Sequence, residues 1–405
     1  GELQVIHEQT ASELVSAVVL FRRTDEPVAG VDHLALRWAM EGGTEAHDAA
    51  DFAVELEKAG ARLETRARQD FLSVRLTCQK QHFRMAWPLL AEALTSPRMD
   101  PAQLEQLRRE LLEAQGEQAG TAAALADSLL RRHWLAGHPY GQAPHGTASG
   151  LRSVTPLMAR SRYDSLLQTR RMMLIVSGGL RGDRLTTALL GAFGELPPGS
   201  PPPKVPALPD SAALTLSLAE PAEGLHQFRL WAAGPGPQAP ERRLALAFGM
   251  KMLEDELRRE LVYRSHLATH SDVRADLLPH RRSMAVISLA SSLPGPAYES
   301  LTNLLSRRLD KGFTQSAFQA AQRSFLHDYW LREQGAPQRA DQLAIAAASD
   351  QLYDYISRQP LMKSLSLKTV NRVMQETWAA PHRFHVQGKA AYPGPPGFRR
   401  LGQSQ

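Results

Sequence analysis

The sequence contains very little cysteine, since Cys78 is the only one in 405 residues. A single cysteine excludes an internal disulfide framework and a zinc site built from several thiolates. Cys78 lies in the alternating segment VRLTCQK, which favours a packed thiol over a nucleophile. Long apolar runs are also missing, because no stretch reaches the roughly 18 residues that a membrane-spanning helix requires. We therefore expect no membrane span.

An excess of one charge is likewise absent. The 47 Lys and Arg residues nearly balance the 42 Asp and Glu residues, and the formal net charge is +5. The basic residues are scattered and lack the interleaved aromatic side chains of a nucleic-acid-binding stripe. Neither a Gly-x-x-x-x-Gly-Lys phosphate loop nor a Gly-x-Ser-x-Gly elbow occurs. The sequence thus predicts no nucleic-acid partner, and it supports neither nucleotide binding nor a serine hydrolase.

Proline is concentrated in one segment. Residues 196–210, LPPGSPPPKVPALPD, include seven prolines, and this density excludes a helix or a central strand. The segment predicts a semi-rigid linker between an N-terminal domain, 1–195, and a C-terminal domain, 211–390. The remaining residues, 391–405, have the composition of a loose tail.

The two halves follow one order of strands and helices. In the first half, the patterns predict strands at 3–9, 14–23, 61–68, 71–78 and 172–180, and helices at 31–41, 47–59, 81–95, from Pro101 onwards and at 184–193. In the second half, they predict a strand pair within 212–233, strands at 266–274, 283–291 and 382–388, and helices at 240–260, 297–310 and 315–335. The sequence therefore predicts an α+β fold of two homologous domains, each a mixed or antiparallel sheet with helices packed on one face.

Three segments, in this order along the chain, contain motifs that can be compared with a known family: FRRTDEPVAGVDHLALRWAMEGGT, GHPYGQAPHGTASGLRSVTP and MMLIVSGGLRGDRLTTALLGAFGELPPG. The first resembles the opening of the pitrilysin/insulinase peptidase family, with its Phe-Arg-x-Gly-Ser-x-Asp-Glu and Gly-x-Ala-His-x-x-Glu-His motifs. The second is similar to the family's His-Pro-Tyr-Gly and Gly-Thr segment, and the third to the strand, helix and Leu-Pro-x-Gly that close each half. The resemblance covers nearly the whole chain. It implies a small bacterial two-domain member with the LuxS/mitochondrial-processing-peptidase-like metallohydrolase fold.

The resemblance also implies where a zinc site would lie. Family members bind zinc through His-x-x-Glu-His on a helix, where the Glu activates a metal-bound water, and through a distant Glu on a second helix. Here His33 matches the first histidine, whereas Leu36 replaces the base and Arg37 replaces the second histidine. The distal position holds Ala114, and Glu113 is turned by about 100° from that face. Leucine cannot accept a proton and arginine offers no lone pair, so we expect no zinc ligand set and no confident catalytic residue.

We interpret the isolated histidines as structural residues and not as metal ligands. We interpret His33 as a polar residue on a helix face, because a cation would be repelled by an arginine one turn away. His133, His138 and His145 lie among Pro and Gly residues and indicate a loop more strongly than a metal site. The basic segment 280–282 indicates a solvated loop tip, with contact to an acidic peptide as the alternative.

A pair of residues in the second half has two possible assignments. In active family members or their partners, an Arg and a Tyr in this half stabilise the developing oxyanion. A gapless alignment places Val262 and Thr269 at these positions and also matches 267–268, so we prefer it. A shifted alignment with a two-residue deletion would instead assign Arg258 and Tyr263. In the shifted alignment, the chain would donate both residues to a partner's active site.

The strand at 63–68 is the candidate substrate-binding element. In the family it resembles, this edge strand pairs with an extended peptide, which thereby adds a strand to the sheet. Arginines on such a strand also reduce aggregation at an open edge, and the two roles are compatible. The candidate substrate-binding residues are Leu63, Glu64, Thr65, Arg66 and Ala67.

Together these features imply a non-catalytic subunit of a heterodimeric zinc metalloendopeptidase. The family builds a peptide-degrading or peptide-processing chamber from four homologous domains, and this chain would supply two. An active partner of similar size, carrying His-x-x-Glu-His, would supply the others and hold the zinc, so this chain needs no cofactor of its own. Two alternatives remain open: the inactive half of a dedicated precursor-peptide processing peptidase, for example in pyrroloquinoline quinone maturation, and a catalytically dead scaffold or binding protein. The compartment stays open between periplasm and cytoplasm.

Overall fold

The computed structural model describes residues 3–23, 26–119, 121–181, 191–210, 212–218, 222, 224–236, 238–278, 280–332 and 335–401. Two compact units divide the chain, and neither is continuous in sequence. The first unit comprises residues 1–115, 142–204 and 330–348, and the second comprises 116–141, 205–329 and 349–405. Most of the helix predicted at 184–193 lies outside the described residues. No helix among the described residues is long and apolar enough to cross a membrane.

Strands and helices alternate along both halves of the chain. The strands are β1 (Gln4–Gln9), β2 (Leu14–Arg22), β3 (Arg62–Ala67), β4 (Phe71–Gln79), β5 (Met172–Gly178), β6 (Thr215–Leu218), β7 (His226–Ala233), β8 (Val273–Leu278), β9 (Met284–Ser291), β10 (His382–Val386) and β11 (Arg399–Leu401). The helices are α1 (Val31–Glu41), α2 (Ala49–Lys58), α3 (Phe83–Thr95), α4 (Pro101–Ala119), α5 (Ala122–His133), α6 (Ala148–Ser153), α7 (Pro156–Leu166), α8 (Pro240–Arg258), α9 (Pro294–Lys311), α10 (Gln315–Arg332), α11 (Ala336–Ala348), α12 (Leu352–Ile356), α13 (Arg358–Ser364) and α14 (Leu367–Trp378). The predicted α+β class with two sheets is confirmed.

The first unit is built on a five-stranded mixed sheet. Its strand order is β1-β5-β2-β4-β3, with β1 parallel to β5 and the other pairs antiparallel. Side chains alternate between the two faces of a strand, so the odd-numbered residues of β2, such as Val19 and Phe21, share one face. These residues join the core formed with α1, α3, α4 and α7. The main helical layer of the first unit therefore lies on this face.

The opposite face of this sheet carries a helix from much later in the sequence. Helix α11 packs against β2 and β5, where Val18 and Leu20 are buried. Its alanines, including Ala340, Ala344 and Ala347, are almost fully buried, and their small side chains allow the helix to approach the strands closely. The first unit thus has helices on both faces of its sheet, one more layer than the sequence predicts.

The second unit has the same plan with one additional strand. Its strand order is β11-β6-β10-β7-β9-β8, and α8, α9 and α14 contribute to the main core. Helix α5, from the first half of the sequence, packs against β7 and β10. The Trp134 ring beyond its end lies 4.4 Å, between ring centroids, from His382 on β10. Each unit therefore includes one helix that the division at the proline-rich segment assigns to the other half.

The proline-rich segment and the tail both make specific contacts within the second unit. Trp134 Nε1 donates to the carbonyl of Pro209 at 3.2 Å, and Arg282 Nε donates to that of Pro206 at 2.7 Å. Residues 399–401 form β11, which runs parallel to β6. The expectation of a loose tail is wrong for these residues, because their backbone completes hydrogen bonds at the open edge of a strand.

Candidate functional site

Helix α1 carries the segment that the resemblance aligns with a zinc motif, and it is buried along most of its length. It begins after Gly30, whose φ of 94° is left-handed and whose backbone N–H donates to Glu26 Oε2 at 2.7 Å. A Cβ at Gly30 would lie 2.7 Å from the Cα of Gly146, so the two chain segments can approach only as glycines. Near the other end, Trp38 Nε1 donates to the carbonyl of Asp100 at 2.7 Å. These contacts hold α1 between the sheet and the start of α4.

His33 is a buried, uncharged residue on α1. Its side chain packs edge-on against His145, with ring centroids 5.0 Å apart, and only 6% of the residue is exposed. Burial, followed by the neighbouring His145, Arg37 and Arg23, lowers the pKa of His33 to about 3. Its Nδ1 atom is buried and has no hydrogen-bond partner among the described residues.

The other two motif positions on α1 do not provide metal ligands. Leu36 is fully buried in the apolar core of the first unit. The guanidinium of Arg37 donates to both carboxylate oxygens of Glu41, each at 2.6 Å, and to Glu110 Oε2 at 3.1 Å. Hydrogen bonding to Glu41 is the main cause that raises the pKa of Arg37 above its usual value. A permanent cation therefore stands at the position that the family resemblance assigns to a ligand.

On α4, the residue that reaches α1 differs from the ones the sequence suggests. Ala114 and Glu113 are both exposed, whereas Glu110 contacts Arg37. Glu110 and Ala114 are four positions apart, so they lie on the same face of α4. Sequence reasoning missed Glu110 because it considered only the ligand position and its immediate neighbour. The sequence does contain a signal for Glu110, because this residue lies four positions before Ala114 and therefore on the same face of α4.

These residues do not fit a zinc ion. Zinc sites use several Cys, His, Asp or Glu donors around one point, and this helix pair offers His33 and a carboxylate already bound to arginine. Throughout the part of the chain that the structure describes, no three such residues are placed to hold a metal ion. His138 forms a turn in which its Nδ1 accepts from Tyr140 N at 3.1 Å, while His145 packs on His33. His138 and His145 therefore each have a local structural contact.

The four alternative residues in the second unit have separate surroundings. Arg258 pairs with Glu254 at 3.0 Å and donates to a backbone carbonyl on β8. Tyr263, in the π-helical turn Arg259–Arg264, is 64% exposed. Val262 packs against the core, and Thr269 caps the short helical turn that follows it. The choice between the two alignments stays a prediction.

Strand β3 lies at one edge of the first sheet, as the family resemblance implies. It pairs antiparallel with β4, and Arg68 N donates to Phe71 O at 2.8 Å where the hairpin turns. Along an antiparallel pair of strands, residues alternate between those whose backbone groups bond to the neighbouring strand and those whose backbone groups point away from it. Arg68 bonds to Phe71, so every second residue before it, starting from Arg66, also bonds to β4. The backbone N–H and C=O groups of Leu63, Thr65 and Ala67 therefore point away from β4, towards the open edge.

The two faces of β3 differ in chemistry. On one face, the Glu64 carboxylate pairs with Arg66 and Arg75, and both arginines also donate to Asp341 on α11. On the other face, Leu63 packs against the apolar core of the unit, and Ala67 is buried in it. The charged network therefore holds the strand from one side while the core holds it from the other.

A cavity of about 490 Å³ opens beside this edge strand. One wall is formed by residues of α2 at positions i, i+3, i+4 and i+7, which share one face of the helix. The other walls come from the end of α1 and from β3. The lining residues are Met40, Glu41, Ala49, Phe52, Ala53, Leu56, Leu63, Glu64 and Thr65. Most of the lining residues are apolar and the Glu41 carboxylate is paired with Arg37, so the cavity favours an uncharged, apolar occupant.

Family models match most of the chain. The model described as insulinase (peptidase family M16) matches residues 19–142, and the model described as the peptidase M16 inactive domain matches residues 153–325. Among curated proteins, no sequence matches the chain significantly.

Several solved structures share this fold at low sequence identity. A peptidase M16 inactive domain from Pseudomonas fluorescens is 16% identical, with a TM-score of 0.84 over 98% of this chain and 96% of that chain. A protease from Helicobacter pylori is 15% identical, with a TM-score of 0.85 over 95% of this chain and 97% of that chain. The periplasmic protease PqqL from Escherichia coli is 14% identical, with a TM-score of 0.74 over 97% of this chain but 48% of that chain.

Proposed function

The chain belongs to the insulinase (M16) peptidase family, and we propose that it is the non-catalytic subunit of a heterodimeric zinc metalloendopeptidase. The observation that carries this proposal is the state of the zinc motif. Leu36 is buried in the core where the general base would stand, and Arg37 forms ion pairs where a ligand would stand. The chain would close a peptide-degrading or peptide-processing chamber, and zinc would be held by the active partner.

Larger structures of the same fold support a second half of similar size. It covers nearly all of the Pseudomonas fluorescens chain but only 48% of PqqL. It also covers 44% of the chain in the complex of the ferredoxin protease FusC with Arabidopsis ferredoxin. Those larger chains carry about twice the length in one polypeptide. A second chain with an intact His-x-x-Glu-His would supply the other half here.

The open edge of β3 supports binding of an extended peptide. Three residues, Leu63, Thr65 and Ala67, direct backbone donors and acceptors outward, which is the arrangement that strand addition uses. The adjacent cavity can accept one large apolar side chain of the added strand. In this role the chain would hold a peptide in position while the partner cleaves it.

The test is affinity purification of the tagged chain from the cells that produce it, with partners identified by mass spectrometry. We expect a stoichiometric partner of about 40–50 kDa whose sequence contains His-x-x-Glu-His, as one further two-domain chain of this family requires. The purified pair should cleave unfolded peptides, and either chain alone should not. Recovery of the chain alone, or as a homodimer, would overturn the proposal and favour a scaffold or binding role.

A further inference from the structure

Arg37 forms an ion pair between α1 and α4. Its guanidinium is fixed by two hydrogen bonds to Glu41, one turn along the same helix. It also donates to Glu110, which lies 73 positions away in sequence. From this geometry we infer that Arg37 replaces the metal ion as the cation that links the two helices. The replacement leaves the domain both independent of zinc and unable to bind it at this site.

The chemistry of the link is the reverse of a metal site. In a metal site the protein supplies lone pairs to a cation that arrives from solution. Here the cation belongs to the chain, and the carboxylates of Glu41 and Glu110 accept its N–H groups. The positive charge is permanent because a guanidinium does not lose its proton in proteins. A divalent ion would have to displace this charge and would meet repulsion from it.

The double contact to Glu41 prepares Arg37 for the contact to Glu110. A two-point contact restricts the long side chain, so the additional bond orders fewer free rotors than it would for a lysine. Only 19% of the Arg37 side chain is exposed, and this burial reduces screening of the pair by water and salt. The Glu110 side chain is 44% exposed, which keeps the expected strength of the link modest.

The link should be measured by a double-mutant cycle in urea unfolding. We expect Arg37→Met to raise the unfolding equilibrium constant about fivefold and Glu110→Gln to raise it about threefold, as for partly exposed ion pairs. In the Arg37→Met background, Glu110→Gln should have little further effect. The matched control is Glu113→Gln, an exposed change on the same helix that should show no coupling. Additive effects of the Arg37 and Glu110 changes would overturn the link.

Salt dependence separates an ionic link from simple packing. Raising NaCl from about 0.05 M to about 1 M should remove most of the effect of Glu110→Gln, because screening shortens the reach of the charges. This experiment needs only the exposed substitution Glu110→Gln, so it remains informative even if the Arg37→Met variant does not fold. An effect of Glu110→Gln that is the same at both salt concentrations would contradict the proposal.

Metal independence is tested on the same purified chain. We expect no shift of the melting temperature with EDTA and none with added zinc at concentrations up to roughly tenfold over protein, since a site without affinity gives no stabilisation. Direct titration by calorimetry should show no binding at one equivalent. A one-to-one zinc site that disappears in the His33→Ala variant would show that the helix pair still binds metal and would overturn the inference.

Discussion

Arg66 on the edge strand donates to Asp341 on α11 at 2.5 Å, although the two residues are 275 positions apart in sequence. The same carboxylate oxygen accepts from Arg75 on the neighbouring strand at 2.8 Å. The candidate peptide-binding strand is therefore stabilised by a helix from the other half of the chain. The outward direction of the backbone groups at the open edge of β3 is set separately, by the antiparallel register with β4.

Replacing Asp341 should destabilise the first unit. In Asp341→Asn the side chain keeps its shape but loses the charge that accepts from Arg66 and Arg75. We expect a loss of about 1–2 kcal/mol in the free energy of unfolding, because two partly buried hydrogen bonds between charged groups are weakened. Urea unfolding followed by circular dichroism measures it. Asp51→Asn, at an exposed position on α2, is the control and should change stability by less than about 0.5 kcal/mol. Equal effects of the two changes would contradict the network.

Replacing Thr65 by proline should remove peptide binding while the fold persists. The Thr65 N–H points away from β4, so its loss spares the bonds that hold β3 in the sheet. We expect the affinity for an extended fluorescent peptide to fall about tenfold or more, as the loss of one hydrogen bond and a distorted edge predict. Fluorescence anisotropy measures the affinity, and the melting temperature checks the fold.

Two controls separate this backbone effect from side-chain effects. Thr65→Ala keeps the outward N–H and should bind the peptide nearly as well as the natural chain. Glu64→Pro removes an N–H directed at β4 together with the carboxylate that pairs with Arg66 and Arg75, and it should lower stability for both reasons. If Thr65→Pro binds the peptide with unchanged affinity, strand addition does not occur at β3.

An acidic residue at position 36, where the resemblance places the general base, should destabilise the first unit. Leu36 is fully buried, so Leu36→Glu places a carboxylate in the core with no partner. We expect a loss of at least about 3 kcal/mol, since a buried charge or an unsatisfied carboxyl is costly. Leu36→Met, which conserves volume, should cost less than about 1.5 kcal/mol. A stable Leu36→Glu variant with natural-like unfolding would show that this position can reach solvent.

Acidic pH should lower the stability of the second unit, because protonation of the buried His385 is unfavourable in the folded state. This residue is fully buried on β10, and burial, followed by its neighbour His226, lowers its pKa from 6.5 to about 3. Between these values the unfolded chain binds a proton that the folded chain does not, so stability decreases as the pH falls from 6.5 towards 3. The slope should reach about 1.4 kcal/mol per pH unit for this group.

The variant His385→Asn isolates this contribution. Asparagine cannot take up the proton, so the fall in unfolding free energy between about pH 6.5 and about pH 4.5 should be smaller than in the natural chain by about 1.4 kcal/mol per unit. Urea unfolding at several pH values measures both slopes, and the remaining titrating groups contribute to each. Identical slopes would mean that His385 accepts a proton in the folded state.

The single thiol should be unreactive until the chain unfolds. Cys78 is buried on β4, and burial raises its thiol pKa to about 11. At about pH 8 the thiolate fraction is then about 100-fold or more below that of an exposed cysteine, and thiolate is the reacting form. Labelling by iodoacetamide, followed by intact mass, should be correspondingly slow in buffer and fast in urea. Comparable rates in both solutions would place the thiol at the surface.

Elements with local signals were predicted well. Helix α1 spans the residues 31–41 predicted from its apolar pattern, and α4 begins where Asp100 and Pro101 indicate a cap and a first turn. The hairpin of β3 and β4 also lies within one or two residues of its prediction. Periodicity and capping depend on neighbours within a few positions, so the sequence contains the information directly.

Elements with unusual backbone were predicted less well. A strand was expected at 266–274, but β8 begins at Val273. The residues before it form a π-helical turn, a left-handed His266 with φ of 53° and a short turn capped by Thr269. None of these conformations has a repeating apolar pattern, and the apolar residues there resemble a strand.

The sequence by itself indicated the family plan, the presence of Leu36 and Arg37 where the resemblance places a general base and a second histidine, and the chemistry of each strand and helix. Only the tertiary structure decided that α11 covers the first sheet, that α5 belongs to the second unit and that Glu110 is the residue bound by Arg37. The physical reason is distance along the chain. Residue types and local spacing define what a segment can form, whereas contacts between segments separated by 70 to 275 positions depend on which apolar faces bury one another when the whole chain packs.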